Sequence, residues 1–439
     1  MKHLIKAGAA LSVAAGVGLC AGGAFAQDAT AVSTDASAST QFIFNSFLFL
    51  ISGMVVMFMA AGFCMLEAGL VRSKNAATIC LKNIALYSIA GLMVWLLGYN
   101  LIYGIDEGGW LGSFSIWFAD DSTPFDVGYS ASSDWYFQMV FVATAASIVS
   151  GTVAERVRLW PFLLFVALLT GIIYPIQASW EWGGGWLDAQ FGFSDFAGST
   201  LVHSTGGWAA LAGAIALGPR AGKYVDGKVI PIPGSNLPLA TLGTFILWLG
   251  WFGFNGGSQL AAGTIEDISA VADIFVNTNT AAAAGVVSAM ILSQIFYGKV
   301  DLTVALNGAI GGLVSITAEP LAPAIWQAAI IGAVGGLLIV VTIPLLDSLR
   351  IDDVVGAIPA HLVCGIWGTF IVPFSNSDAT YFGQLVGIGA IGAFVFVVSM
   401  LAWFVLKFTI GIRAKEDEER HGLDKSELGM DAYPEFTSS

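Results

Sequence analysis

The stretches 199–217, STLVHSTGGWAALAGAIAL, and 354–372, VVGAIPAHLVCGIWGTFIV, each carry one histidine, His203 and His361, inside a run apolar and long enough to cross a bilayer. An ionisable side chain buried in hydrocarbon without a partner is costly, so such a residue points to function. The two stretches also echo each other. Each histidine is followed four residues later by glycine, Gly207 or Gly365, and then closely by Trp208 or Trp367. Matched features of this kind mark two halves of a repeat whose site lies near the membrane midplane. The other histidines, His3 and His421, fall near the N-terminus and in a charged C-terminal tail.

Working outward, the whole chain has the same character. Of its 439 residues 56% are hydrophobic and only 11% charged, with mean hydropathy +0.78, far from a soluble composition. The sequence predicts an all-α membrane protein of eleven transmembrane helices, near 42–66, 79–103, 135–154, 159–178, 199–217, 237–256, 277–297, 302–318, 324–346, 354–373 and 382–408. Residues 1–26 read as a cleaved signal peptide, with Lys2, Lys6, an apolar core and AFA before Gln27. The competing reading is an uncleaved twelfth span, against which the short core and small-residue ending argue. Residues 27–41 read as a disordered leader, 42–408 as the transmembrane domain and 409–439 as a cytoplasmic tail.

Charge sets the orientation. All 17 Lys and Arg fall at the N-terminus, in alternate loops or in the tail, from Arg72, Lys74 and Lys82 through Arg156, Arg158, Arg220, Lys223, Lys228, Lys299 and Arg350 to Lys407 and beyond. The opposite loops carry Asp106, Glu107, Asp120, Asp121, Asp126, Asp188, Glu266, Asp267 and Asp273. The positive-inside rule then places the mature N-terminus outside and the C-terminus in the cytoplasm. Histidines on spans five and ten make the repeat unit five helices, an odd number. The second unit is therefore inverted and a last helix is left over as a brace. The net charge of −14 lies in loops and tail and argues against nucleic acid. Four scattered cysteines give no disulfide framework or zinc spacing, and no cofactor or metal is implied.

Spans five, six and ten hold no Arg, Lys, Asp or Glu at mid-depth, so a path past the histidines suits a small, nearly neutral solute rather than a hydrated ion. The plainer reading is a pair of packing histidines bridging helices. Trp180, Trp182 and Trp186 on the outer side read either as interfacial anchors or as a vestibule that attracts a small cation. Asp195, eight residues before His203 and about 12 Å up a helix, reads as the N-cap of span five. In ILWLGWFGFNGGSQL, Ser258 offers an oxygen to a cation and Phe254 a pore cap, against the alternative of aromatic packing around glycines.

The motifs GLVRSKNA (69–76), FQMVFVATAASIVSGTVAERVR (137–158), WGGGW with DFAGSTLVH ending at His203, WFGFNGGS (251–258) and DDVVGAIPAHLVCGIWGT (352–369) resemble those of the Amt branch of the Amt/Rh ammonium transporters. The resemblance runs from the first span into the tail. It implies a homotrimer in the bacterial inner membrane with one pore per subunit and no enzymatic activity. By the same resemblance Phe141, Trp182 and Ser258 form an outer ammonium site, Phe141 and Phe254 the stacked gate, His203 and His361 the pore lining, and Asp195 orders the vestibule. The tail of such proteins can bind a P-II signal protein. Two departures stand out: Glu181 sits beside Trp182, and Leu428 in GLDKSELGMDAY replaces a usual histidine, which bears on P-II binding. The alternatives are an ammonium sensor that signals through its tail and a membrane haem protein with the histidines as axial ligands; the second leaves the aromatic vestibule without a role.

Overall fold

The computed structural model describes residues 37–436; the signal-peptide stretch 1–26 lies outside them. Eight helical segments among the described residues are long and apolar enough to cross a membrane. In chain order the main helices are α1 (Ala38–Leu70), α2 (Ser73–Tyr103), α3 (Ala131–Thr152), α4 (Leu159–Ser179), α5 (Ser199–Leu217), α6 (Leu237–Gly257), α7 (Ile265–Tyr297), α8 (Leu302–Ile316), α9 (Ile325–Ser348), α10 (Ile358–Phe370) and α11 (Tyr381–Thr409). Of these, α8 and α10 are short, and α3 is the one whose Ser, Thr, Asp and Gln content dilutes its hydropathy. It is nonetheless almost wholly buried from Phe137 to Thr152, because its polar side chains bond back to their own helix, as Thr144 does to the Val140 carbonyl at 2.8 Å.

Two ends differ from the apolar runs, each for a local reason. Helix α1 starts at Ala38, inside the stretch expected as disordered leader, with the Ser37 hydroxyl accepting the Thr40 N–H. Helix α7 starts at Ile265, about a dozen residues before its apolar run. Thr264 and Asp267 cap each other's backbone there, and Glu266 with Asp267 favours the positive helix end. The acidic residues Glu266, Asp267 and Asp273, expected in a loop, therefore ride on the helix. At 33 residues it rises about 50 Å, more than hydrocarbon requires.

Helices α5 and α10, which carry the histidines, cross at the centre. Both begin in wide turns: the His203 N–H reaches the Gly198 carbonyl and the Cys364 N–H reaches Pro359, each five residues back. Such turns cluster at functional sites. The two matched glycines explain the crossing. A Cβ on Gly207 would stand 2.6 Å from the Leu362 Cβ, and one on Gly365 would stand 2.4 Å from the Ser199 carbonyl oxygen. Each histidine helix thus uses glycine to accept the other's backbone, and Thr200 and Thr369 join them by a 2.7 Å hydroxyl contact.

On the side that carries the basic loops, three arginines are drawn into the fold rather than left as free surface charges. Arg156 is fully buried and donates to the carbonyls of Thr152 and Asp352. Arg220 bridges Asp352 at 2.8 Å and Glu155 at 3.3 Å, and Arg72 reaches Glu155 from the other side at 2.5 Å.

Candidate functional site

The centre of the fold is a column of rings. Phe141 of α3 and Phe254 of α6 stack with centroids 4.0 Å apart and planes at 25°. Beneath them His203 lies 5.2 Å from Phe254 and stacks on Trp251 at 4.9 Å. His361 follows at 5.3 Å from His203, and Phe63 of α1 stands 6.0 Å beyond it. Both histidines, Phe141 and Phe254 are buried. The Nδ1 atoms of His203 and His361 are 3.2 Å apart. A neutral imidazole has one donor and one acceptor nitrogen, so in this pair one Nδ1 carries the proton and the other receives it. The outer nitrogen of His203, Nε2, is buried without a hydrogen-bond partner.

Among the three tryptophans, only Trp182 reaches the column, edge-on to Phe141 at 6.1 Å. Its indole N–H donates to the Asp195 carbonyl at 3.0 Å. Trp180 and Trp186 pack with Trp110 instead, Trp186 stacked on it at 4.3 Å. Ser258 follows the end of α6, one turn from Phe254, whose carbonyl its hydroxyl bonds at 2.8 Å. Phe141, Trp182, Phe254, His203 and His361 thus form one continuous set, with Ser258 joined to it through Phe254.

Asp195 stands in the loop before α5 rather than on a helix. Its two oxygens accept the N–H groups of Gly198, Ser199, Thr200 and Leu201 at 2.7–3.0 Å. Four otherwise orphaned donors are thereby satisfied in a buried place. Gly198 makes this possible by turning at φ 104°. Glu181 approaches the same residue: its Oε1 accepts the Asp195 N–H at 3.3 Å, while Oε2 is buried and unpartnered. Burial, and the Asp195 charge beside it, push the Glu181 carboxyl well above the usual range. The departure thus places a buried carboxyl next to Trp182 and against Asp195.

Three participants escape a reading of the sequence alone. Trp251 backs His203 and fixes its ring through an indole N–H to Thr317 at 2.8 Å; it lay in the aromatic run of α6 with nothing to single it out. Phe63 flanks His361 from an unmarked position in α1. Asp353 accepts the Ile358 N–H at 2.7 Å at the start of α10. It could have been found, because it precedes His361 by the same eight residues that separate Asp195 from His203.

Beside His361 lies a small cavity lined by Phe63, Glu67, Ile148, Asn307, Ile310 and Val355. Aromatic cap, buried imidazole pair and the small cavity beside them lie at the centre of a polytopic membrane protein. Residues 47–433 match the sequence model of the Ammonium Transporter Family. The chain is 41% identical over 417 residues to ammonium transporter Amt2 of Archaeoglobus fulgidus, spanning 88% of this chain and 87% of that protein. The solved structure titled "Sensor Amt Protein" superposes with a TM-score of 0.83 at 35% identity, covering 89% of this chain and all of that one. The Mep2 structure from Candida albicans superposes with a TM-score of 0.79 at 27% identity, over 87% and 89% of the two chains. The protein belongs to the ammonium transporter family.

Proposed function

We propose that the protein recruits NH4+ at an outer aromatic site, removes a proton near the Phe141–Phe254 gate, and conducts NH3 past His203 and His361. The observation that carries this reading is the buried, hydrogen-bonded histidine pair directly beneath a stacked aromatic gate. The selection problem is chemical. NH4+ and K+ are close in size, so discrimination needs hydrogen bonding that K+ cannot supply and a dry passage costly to any retained charge. Trp182 and Phe141 offer ring faces to a cation, and Ser258 an oxygen. Beyond the gate the imidazoles give and accept single hydrogen bonds, which suits NH3.

The same reading assigns eleven spans, α1–α11, arranged as two inverted five-helix repeats with α11 as the remaining brace. Cleavage after Ala26 leaves the N-terminus periplasmic and the tail cytoplasmic in a bacterial inner membrane. The molecule works as a homotrimer, and its tail is the place where a P-II protein would dock. Leu428 packs against a buried apolar cluster that includes Leu159 and Phe162, so the residue where a histidine is usual serves the tail's own seat.

Ammonium-pulse currents on solid-supported membranes, with methylammonium uptake beside them, test the reading. Replacing His203 and His361 together by leucine abolishes selective uptake; unchanged uptake with K+ still excluded would rule the mechanism out.

A further inference from the structure

Two thiols face each other across the α1–α2 hairpin, outside the histidine column. Cys64 and Cys80 stand eight residues either side of Arg72, in the turn that joins the helices, so the antiparallel pair brings them level. Both line one apolar groove of about 620 Å³ with Met57, Phe58, Leu81 and Tyr87. Their side chains hydrogen-bond each other. Cys80 is exposed and Cys64 half-buried. Cys364 is the contrast: fully buried, its thiol bonds the Gly335 carbonyl and serves packing, the common role of a free cysteine. An exposed thiol against a shielded one is instead the arrangement of an oxidisable cysteine beside its resolving partner.

The pair also borders the column. Cys64 directly follows Phe63, whose ring stands 6.0 Å from His361. Close by, Glu67 of α1 accepts the Ser150 hydroxyl at 2.7 Å and Lys82 of α2 donates to the Ser150 carbonyl at 2.9 Å, so α3 pins both helices from the buried side. A disulfide sets its sulfurs about 2 Å apart, closer than any contact between free thiols. Closing it draws α1 and α2 together at the groove while Ser150 holds them from within. In a close-packed interior that movement passes to the stretch of α1 that carries Phe63.

We propose that Cys64 and Cys80 are a reversible oxidation site: a small neutral hydroperoxide joins them as a disulfide, and the bridge slows conduction past His361. The slowing rests on the transport reading above; the bridge itself does not. In the first step the Cys80 sulfur attacks the peroxide; its S–H bond and the O–O bond break, an S–O bond forms and water leaves. The Cys64 sulfur then attacks the sulfenic acid; its S–H bond and the S–O bond break, the S–S bond forms and a second water leaves. The two sulfurs together give two electrons to the peroxide, and a thiol reductant restores them. The same transport reading puts the turn with Arg72 and Lys74 on the cytoplasmic side, where such bridges are transient and report redox state.

The test treats the purified full chain with hydrogen peroxide and blocks remaining thiols with N-ethylmaleimide. One portion is mapped by peptide mass spectrometry, and another is reconstituted for methylammonium uptake. A linked Cys64–Cys80 peptide appears, and a non-reducing gel shows it within one subunit. Uptake falls about fivefold or more, a size usual for coupling between two sites, and dithiothreitol reverses both changes. Cys80→Ser and Cys64→Ala take up methylammonium at the reduced wild type's rate, and peroxide leaves that rate unchanged. Methionine oxidation, which dithiothreitol does not reverse, is separated by these controls. No linked peptide, a bridge between subunits, or Cys80 oxidised beyond sulfenic acid with Cys64 left free overturns the site. A bridge that leaves uptake unchanged overturns its control of conduction. A reduced wild type without uptake sinks the transport reading instead, while the linked peptide still decides the site.

Discussion

Asp195 and Asp353 hold equivalent places: each stands eight residues ahead of a histidine and binds backbone N–H groups at the start of that histidine's helix. They differ in load. Asp195 takes four N–H groups, whereas Asp353 takes that of Ile358 and the Thr152 hydroxyl. Hydrogen bonds to a charged acceptor are worth about 1.5–3 kcal/mol each when the orphaned donor stays buried, and they are not additive. Asp195→Ala is therefore expected to destabilise the protein by at least about 3 kcal/mol, and Asp353→Ala by less. Thermal unfolding in detergent gives the order; an equal or reversed ranking contradicts this account.

The glycines of the crossing make a second prediction. Gly207→Ala drives a methyl into Leu362, and Gly365→Ala drives one into Ser199 and Ser204. Backbone neighbours cannot give way as a flexible side chain does, so each costs about 1–3 kcal/mol. Either change also spreads the 3.2 Å contact between the two Nδ1 atoms. Methylammonium uptake should fall more than the loss of folded protein explains. Alanine at Gly389 of α11, where the backbone is helical and nothing lies within 4 Å of a built Cβ, is the control and should leave uptake unchanged.

How much of this was legible in the sequence depends on which force set each feature. The helices on long apolar runs were readable because hydrophobic length is a local property; α5 falls at 199–217 in both readings. The starts of α1 and α7 were not, since Ser37, Thr264 and Asp267 act through capping bonds that leave little trace in a hydropathy pattern. The histidine pair was visible because two imidazoles in hydrocarbon are costly. Trp251 and Phe63 were hidden because an aromatic in a membrane helix is ordinary, and only the fold shows which ones face the pair. Glu67 and Lys82 were missed for a different reason. Glu67 lies at the end of its apolar run and Lys82 at the start of one, where a charge reads as interfacial, and only three-dimensional packing across α1, α2 and α3 brings both to Ser150.

The ion cluster of Arg220, Asp352 and Glu155 makes acid stability predictable. Burial pushes the Asp352 carboxyl up, but the hydrogen bonds from Arg220 and the charges of Arg156 and Arg220 outweigh it and hold it at about 2. For Glu155, burial likewise raises, and the Arg220 charge with the Arg72 contacts lowers, with a net fall. A carboxyl depressed in the folded state stabilises above its unfolded value and loses that contribution as pH falls through the folded one. Against an ordinary value of 3.8, Asp352 contributes about 2 kcal/mol at neutral pH, lost between about pH 4 and 2. Arg220→Ala leaves two buried carboxylates short of their partner, costs about 3–5 kcal/mol, and should move the acid unfolding midpoint upward. A midpoint unchanged in a pH series of unfolding curves refutes the assignment.

Two buried anions hold the tail to the helical body: Glu419, which accepts the Ala221 N–H at 2.6 Å, and Asp424. Asp424 accepts the N–H groups of Ala77 and Thr78 at 2.9 and 2.7 Å and the Thr78 hydroxyl at 2.8 Å, at the start of α2. A carboxylate there meets both orphaned donors and the positive end of the helix, worth about 1–2 kcal/mol. Lys74 and Asn75 add bonds to the backbone of Glu419, Arg420 and Leu423. By contrast the Lys425–Asp431 pair is 3.6 Å apart with the lysine 62% exposed, where an ion pair contributes little. Limited proteolysis should therefore cut the tail about tenfold faster in Asp424→Ala than in wild type, with Asp431→Ala indistinguishable from wild type. If Asp431→Ala loosens the tail as much as Asp424→Ala does, the seat on α2 is not what holds it.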